Sequence, residues 1–121
     1  MEINEVPRIT CEELKQLIDR GGEVVLIDTR DNTSYIREHI KGAVNIYYDP
    51  SGFSMDREMT LAALPMDRLL VPYCDCTDDS TSALVALELF GLRYDIDKVK
   101  ALSGGIPHWR ELDFPLEKQS G

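Results

Sequence analysis

The sequence lacks the marks of a secreted or membrane-bound chain. Its 121 residues hold three cysteines, Cys11, Cys74 and Cys76. An odd count of this kind does not make a disulfide framework. Residues 1–10 are charged and contain Pro7, so the apolar core of a signal peptide is absent there. No apolar run approaches the roughly 20 residues that span a bilayer. These absences point to a reducing compartment with free thiols, and the expected location is the cytoplasm. Excess positive charge is missing too. A net charge of −9 argues against nucleic acid and against anionic membrane surfaces as partners. Repeats and low-complexity segments are also absent. What remains is an ordinary globular composition in one domain, residues 1–121, long enough to bury roughly two-thirds of its unfolded surface.

Apolar runs alternate with helical patterns along the chain. Ile3 to Ile9 reads as a short edge strand limited by Pro7. Thr10 and Glu13 have capping-box spacing. The helix that follows carries Leu14, Leu17 and Ile18 on one face and stops at Gly21-Gly22. Cys11, in its first turn, reads as a structural surface or semi-buried thiol. Val24-Val25-Leu26-Ile27 is a buried parallel strand, with Asp28-Thr29-Arg30 at its carboxyl end. A short helix is expected over 33–37, a strand over 43–46 and a loop over 48–56. A helix over 58–64 ends at Pro65. Leu69 to Tyr73 is a strand in spite of Pro72, which cannot donate to a ladder. A helix over 80–91 and a strand over 99–102 follow. Gly104-Gly105 turns the chain, Pro107 opens a last short helix through Trp109, and the tail after Pro115 is expected to fray.

Such alternation predicts an α/β protein with a mainly parallel central sheet of about five strands and helices on both faces. Sites in such sheets lie beyond the carboxyl ends of the strands. Asp28–Arg30, Cys74–Asp79 and Ser103–Gly105 all fall at such ends. The middle cluster also meets the start of a helix, where backbone N–H groups converge and a thiolate or bound anion is stabilised.

Four stretches, in order, resemble the rhodanese family of sulfurtransferase domains. Val25-Leu26-Ile27-Asp28-Thr29-Arg30 is similar to a strand ending in Asp-x-Arg. Tyr35 and His39-Ile40-Lys41-Gly42-Ala43-Val44-Asn45-Ile46 are similar to a second signature. Tyr73-Cys74 resembles the strand that delivers the catalytic cysteine. Leu102-Ser103-Gly104-Gly105-Ile106 with Trp109 resembles the family's ending. The match runs over roughly residues 8–117. It implies that Cys74 is the catalytic residue and carries a persulfide sulfur. Asp75, Cys76, Thr77, Asp78, Asp79 and Ser80 would form the persulfide-binding loop, with Asp28, Arg30 and His39 in support. The function implied is transfer of sulfane sulfur through Cys74. The partners would be a small-molecule or protein-bound persulfide donor and a thiol acceptor, with no cofactor and no metal.

Departures from the family pattern bear on the substrate. Thr77 and Asp79 stand where the commonest loop has Gly and Arg, and Glu38 stands where Gly usually precedes the His. A loop of N–H groups and a helix N-terminus would lower the Cys74 thiol pKa. Asp75, Asp78 and Asp79 act the other way and repel an incoming anion. Each like-charge contact in water costs about 1 kcal/mol. Thiosulfate is therefore expected to be a poor donor. Support of the 80–91 helix is an equal alternative role for Asp78 and Asp79. No Arg or Lys lies between Arg68 and Arg93, which argues against phosphatase chemistry. Cys76 has three readings, in descending order of expectation: a bystander, a resolving thiol and a soft-metal ligand. Two alternatives to the sulfurtransferase stand beside it: a non-catalytic or regulatory binding module, and a Cys74/Cys76 dithiol redox protein.

Overall fold

The computed structural model describes residues 1–52, 54–76 and 78–119. The chain runs β1 (Arg8–Ile9), α1 (Cys11–Asp19), β2 (Val24–Asp28), α2 (Asn32–Arg37), β3 (His39–Ile40) and β4 (Val44–Asn45). It continues through α3 (Met55–Ala62), β5 (Leu69–Tyr73), α4 (Ser80–Gly91), β6 (Ala101–Leu102), α5 (Gly105–Glu111) and β7 (Leu116–Glu117). Strands β4, β2 and β5 form one parallel sheet, and β1 pairs in parallel with β6. A parallel bridge between Leu70 and Val99 joins the two. Five parallel strands thus follow one another as β1-β6-β5-β2-β4.

Pro72 explains why that junction is a single bridge. Odd residues of β5 face β2: Leu69 N–H donates to the Glu23 carbonyl, and Thr29 N–H donates to the Tyr73 carbonyl. Even residues face β6: Lys100 N–H donates to the Leu70 carbonyl at 3.0 Å. Pro72 lies on the even side and has no N–H to give, so the ladder stops after one step.

The strands alternate between two cores. Ile27, Leu70, Val99 and Ala101 pack with Leu61 of α3 and with Ala83, Val85, Ala86 and Leu89 of α4. Ile9, Leu26, Val71, Tyr73 and Leu102 pack with Leu14 of α1 and with Ile106 and Trp109 of α5. That period of two puts helices on both faces of the sheet. The Thr10–Glu13 capping box forms in both directions. Among the described residues no helix is long and apolar enough to cross a membrane.

Several expectations need correction. Ile3–Glu5 is a 3-10 turn, and only Arg8–Ile9 is strand. Helix α3 begins at Met55 because the Ser54 hydroxyl caps Arg57 N–H, a start signal hidden in the polar 48–56 stretch. As far as the described residues go, the tail is paired rather than frayed: β7 pairs antiparallel with β3. It is fastened by Trp109 Nε1–H and Lys41 N–H, which both donate to the Pro115 carbonyl. Cys11 is fully buried rather than at the surface, with its sulfur 3.7 Å from the Ser103 carbonyl.

Candidate functional site

Strand β5 delivers Cys74 to the carboxyl edge of the sheet, and the next turn of chain enters α4. Cys74 is 2% exposed. Its carbonyl accepts from Ile106 N–H at 3.0 Å, taking over on the side where Pro72 ended the ladder. Gly105 passes directly over this carbonyl. A Cβ there would lie 2.2 Å from the Cys74 oxygen, and φ is +59°, so only glycine fits. The Gly104-Gly105 turn therefore sets the position of Cys74 from the neighbouring strand end.

The first turn of α4 supplies the donors expected of a free helix N-terminus. Cys74 accepts hydrogen bonds from the backbone N–H groups of Cys76 and Ser82. These do not make it acidic. Burial pushes the Cys74 thiol up to about 11, and the neighbouring Cys76 side chain adds to that. The expectation of a depressed Cys74 pKa is thus reversed, because desolvation outweighs two N–H groups.

Cys76 behaves in the opposite way. It is only partly buried, with its sulfur 3.3 Å from the Thr81 hydroxyl. Burial raises this thiol too. Hydrogen bonds from the Thr81 hydroxyl, the Cys74 thiol, the Thr81 N–H and the Ser80 hydroxyl outweigh it and hold Cys76 below the ordinary thiol value. Among the described residues no group of three or more His, Cys, Asp or Glu converges as a metal site.

The acids of the loop divide. Asp75 and Asp78 are exposed, and Asp78 Oδ1 accepts from Ser80 N–H at 3.1 Å. Asp79 is 7% exposed and has φ +61°. It holds the N-cap position of α4, yet its side chain caps nothing. Its carboxylate accepts from Gly104 N–H at 2.9 Å and lies 3.9 Å from Arg8 Nε. Burial raises the Asp79 carboxyl above the usual range, while Gly104 N–H and Arg8 pull it back. Asp79 thus ties the cysteine loop to the Gly104-Gly105 turn rather than facing a ligand. Thr77 lies outside the described residues.

The supporting residues form a second cluster beside the first. Asp28 is fully buried and takes Arg30 in a two-point ion pair, with Nη2 to Oδ2 at 2.8 Å and Nε to Oδ1 at 3.1 Å. The Tyr73 hydroxyl donates to Asp28 Oδ2 at 2.8 Å and accepts from Ile40 N–H at 3.1 Å. His39 stacks on Tyr35 and donates from Nδ1 to the Tyr35 carbonyl, and its Nε2 meets Glu117. It braces the tail rather than the loop. Glu38, at the family's glycine position, pairs with Arg110.

Thr81, Ser82 and Arg8 have roles here that the sequence reading did not assign. The first two were legible, since the first N–H groups of any helix lack partners. Arg8 carried no such signal, because it comes from the far edge strand. A cavity of about 650 Å3 between Tyr48, Arg57, Leu61 and Leu87 is lined by neither loop cysteine.

The family profile described as Rhodanese-like domain matches residues 10–112. A protein of Mycobacterium tuberculosis called probable adenylyltransferase/sulfurtransferase MoeZ is 39% identical over 101 residues. That match covers 84% of this chain but 24% of MoeZ, so the chain spans about a quarter of that relative's length. Among solved structures, a rhodanese-like domain from Anabaena sp. superposes with TM-score 0.75 at 24% identity, covering 98% of this chain and 80% of that one. A thiosulfate sulfurtransferase from Pseudomonas aeruginosa gives TM-score 0.74 at 21% identity, over 97% of this chain and 21% of that one. These structures share the fold, and the sequence profile spans most of the chain: it belongs to the rhodanese-like domain family.

Proposed function

We propose that this protein is a sulfurtransferase that carries sulfane sulfur as a persulfide on Cys74. The observation that carries the reading is the setting of the Cys74 sulfur. It sits at the carboxyl edge of a parallel sheet, where the N–H groups of Cys76 and Ser82 meet it. Two such donors and the positive end of α4 stabilise a sulfur anion bound there. The relative from M. tuberculosis bears a sulfurtransferase name, which supports the same reaction class.

Attack of a thiolate on sulfane sulfur needs neither a metal nor an external general base. The donor is a low-molecular-weight or protein-bound persulfide, and the acceptor is a thiol. Thiosulfate is a poor donor in this reading, but for a narrower reason than three loop acids. Asp79 is turned inward, so only the exposed Asp75 and Asp78 repel a dianion at the mouth. The chain is read as a single domain with its core at 8–117.

The test is a transfer assay. Protein loaded with cysteine persulfide and freed of donor should pass sulfur to a thiol acceptor, and Cys74→Ser should not. Transfer by Cys74→Ser at the wild-type rate would remove the reading. The opposite pKa shifts of two thiols in one loop, Cys74 raised and Cys76 lowered, favour a second reading, a dithiol redox protein. That reading requires a reversible Cys74–Cys76 disulfide under mild oxidant, without any sulfur donor.

A further inference from the structure

The cavity of about 650 Å3 is a groove between α3 and α4. Helix α3 and its cap line it with Ser54, Arg57, Glu58 and Leu61, and α4 lines it with Leu84, Leu87, Glu88 and Gly91. Both sets have the spacing i, i+3, i+4, i+7, so each is one face of its helix. Two such faces side by side form a trough that suits a third helical face. Leu61, Leu84, Leu87 and Tyr48 are its apolar part; Leu61 is buried and the other three are half-buried.

Gly91 keeps one end of the groove open without any service to the backbone. A helix commonly ends on glycine because a residue there must take positive φ. At the end of α4 that residue is Arg93, with φ +75°, whereas Gly91 lies in ordinary helical backbone. A Cβ built on Gly91 meets nothing within 4 Å. Neither backbone conformation nor a close approach requires glycine here, and glycine in a helix is less stable than alanine. What its missing side chain does is leave space in the groove.

We propose that this groove docks an amphipathic helix of a partner protein, apolar on one face and flanked by Lys or Arg. The charge of the lining selects that occupant. Three carboxylates, those of Asp49, Glu58 and Glu88, stand against one guanidinium, that of Arg57. Arg57 is already committed: it takes Glu88 at two points, donates from Nε to the Tyr47 carbonyl at 2.7 Å and lies over the Tyr48 ring. Asp49 and Glu58 are exposed. Asp49 Oδ1 accepts from the Ser51 hydroxyl and N–H. Such a lining repels nucleic acid and anionic lipid, and it disfavours a second copy of a chain with net charge −9. A helix with basic residues beside an apolar face meets both parts of it. Helix α4 starts at the cysteine loop and lines the groove over its last two turns, so a partner held there sits on the element that carries the loop.

Fluorescence anisotropy on the whole chain, with defined probes, tests the docking. One probe is a helical peptide of leucine and lysine with leucines at i, i+3, i+4 and i+7. A second has glutamate in place of lysine, and hexylamine serves as a competitor. The Leu/Lys peptide should bind one to one and weaken as salt rises, and the Leu/Glu peptide should not bind. Gly91→Leu fills the groove where the backbone accepts a side chain. It should weaken the Leu/Lys peptide about tenfold or more, while persulfide loading of Cys74 keeps its wild-type rate. Glu58→Lys, at an exposed helix position, should weaken the same peptide a few-fold at low salt. Equal affinity for Gly91→Leu and the wild type would overturn the proposal, as would binding of the Leu/Glu peptide. Displacement of the peptide by an equal concentration of hexylamine would overturn it in favour of a small cation. A wild-type dimer in sedimentation that Gly91→Leu dissolves would overturn it in favour of a second copy.

Discussion

At the end of β2 the polar groups consume one another; at the end of β5 they do not. Asp28 receives Arg30 at two points, the Arg30 N–H and the Tyr73 hydroxyl. At the end of the neighbouring strand, Cys74 and Cys76 are held by backbone N–H groups and hydroxyls that favour an anion on sulfur without neutralising it. Both clusters stand on the same sheet edge, and Tyr73 belongs to one while Cys74 begins the other. In the proposed reading, the difference separates a brace from a reactive site. Charge closed by a fixed opposite charge holds the fold, whereas charge stabilised only by dipoles stays available for chemistry.

Substitutions should separate the two clusters cleanly. The largest effect is on transfer: Cys74→Ser should drop it to background in the assay above, while stability falls by only about 1 kcal/mol for a buried thiol replaced by a hydroxyl. Asp28→Ala should do the reverse. It leaves Arg30 partly buried without its partner, and stability should fall by about 3–5 kcal/mol, read from the shift of the unfolding midpoint. Gly105→Ala links the clusters. Its Cβ would collide with the Cys74 carbonyl in a left-handed backbone, so a loss of about 2 kcal/mol should come with slower persulfide loading. Loading at the wild-type rate would show that this turn does not position Cys74.

Alkaline pH sharpens the comparison further. Cys74 and Cys11 are raised in the fold to about 11 and about 12, both chiefly by burial. A raised thiol adds stability that is fully present below its unfolded pKa of about 8.5. That stability is lost as pH rises through the folded value. Denaturant midpoints should therefore decline between about pH 8.5 and 11, and Cys74→Ala should flatten part of the slope. The smallest effect belongs to the exposed acids. Asp78→Lys should leave stability within about 0.5 kcal/mol and raise thiosulfate uptake only a few-fold, most visibly at low salt. Thiosulfate uptake that does not respond would remove charge repulsion as the cause of its weakness.

The strands, α4 and the cysteine loop were legible in the sequence because each depends on local pattern. Continuous β-branched runs mark buried strands, and Ser80–Gly91 is apolar on most faces. Asp28 and Arg30 were read as supporting groups because they end a strand next to the cysteine, and in the fold they pair with each other. What the sequence hid depended on distant partners. Asp79 reads as a loop acid facing the substrate, yet its carboxylate is committed to Gly104 and Arg8. Asp79→Arg would accordingly break a tie between strand ends rather than restore an anion site. The tail reads as polar and free, yet Leu116–Glu117 pairs with His39–Ile40. The opposite settings of the two thiols were hidden as well, since burial decides them and spacing does not report burial.

The most direct measurement of the central claim is intact mass followed by peptide mapping after equilibration with cysteine persulfide. The account predicts that the wild-type chain gains one sulfur, resident on Cys74, with Cys11 unmodified, and that the Cys74→Ser/Cys76→Ser double variant gains none. A chain that gains no sulfur, or a double variant that still gains one, would contradict it.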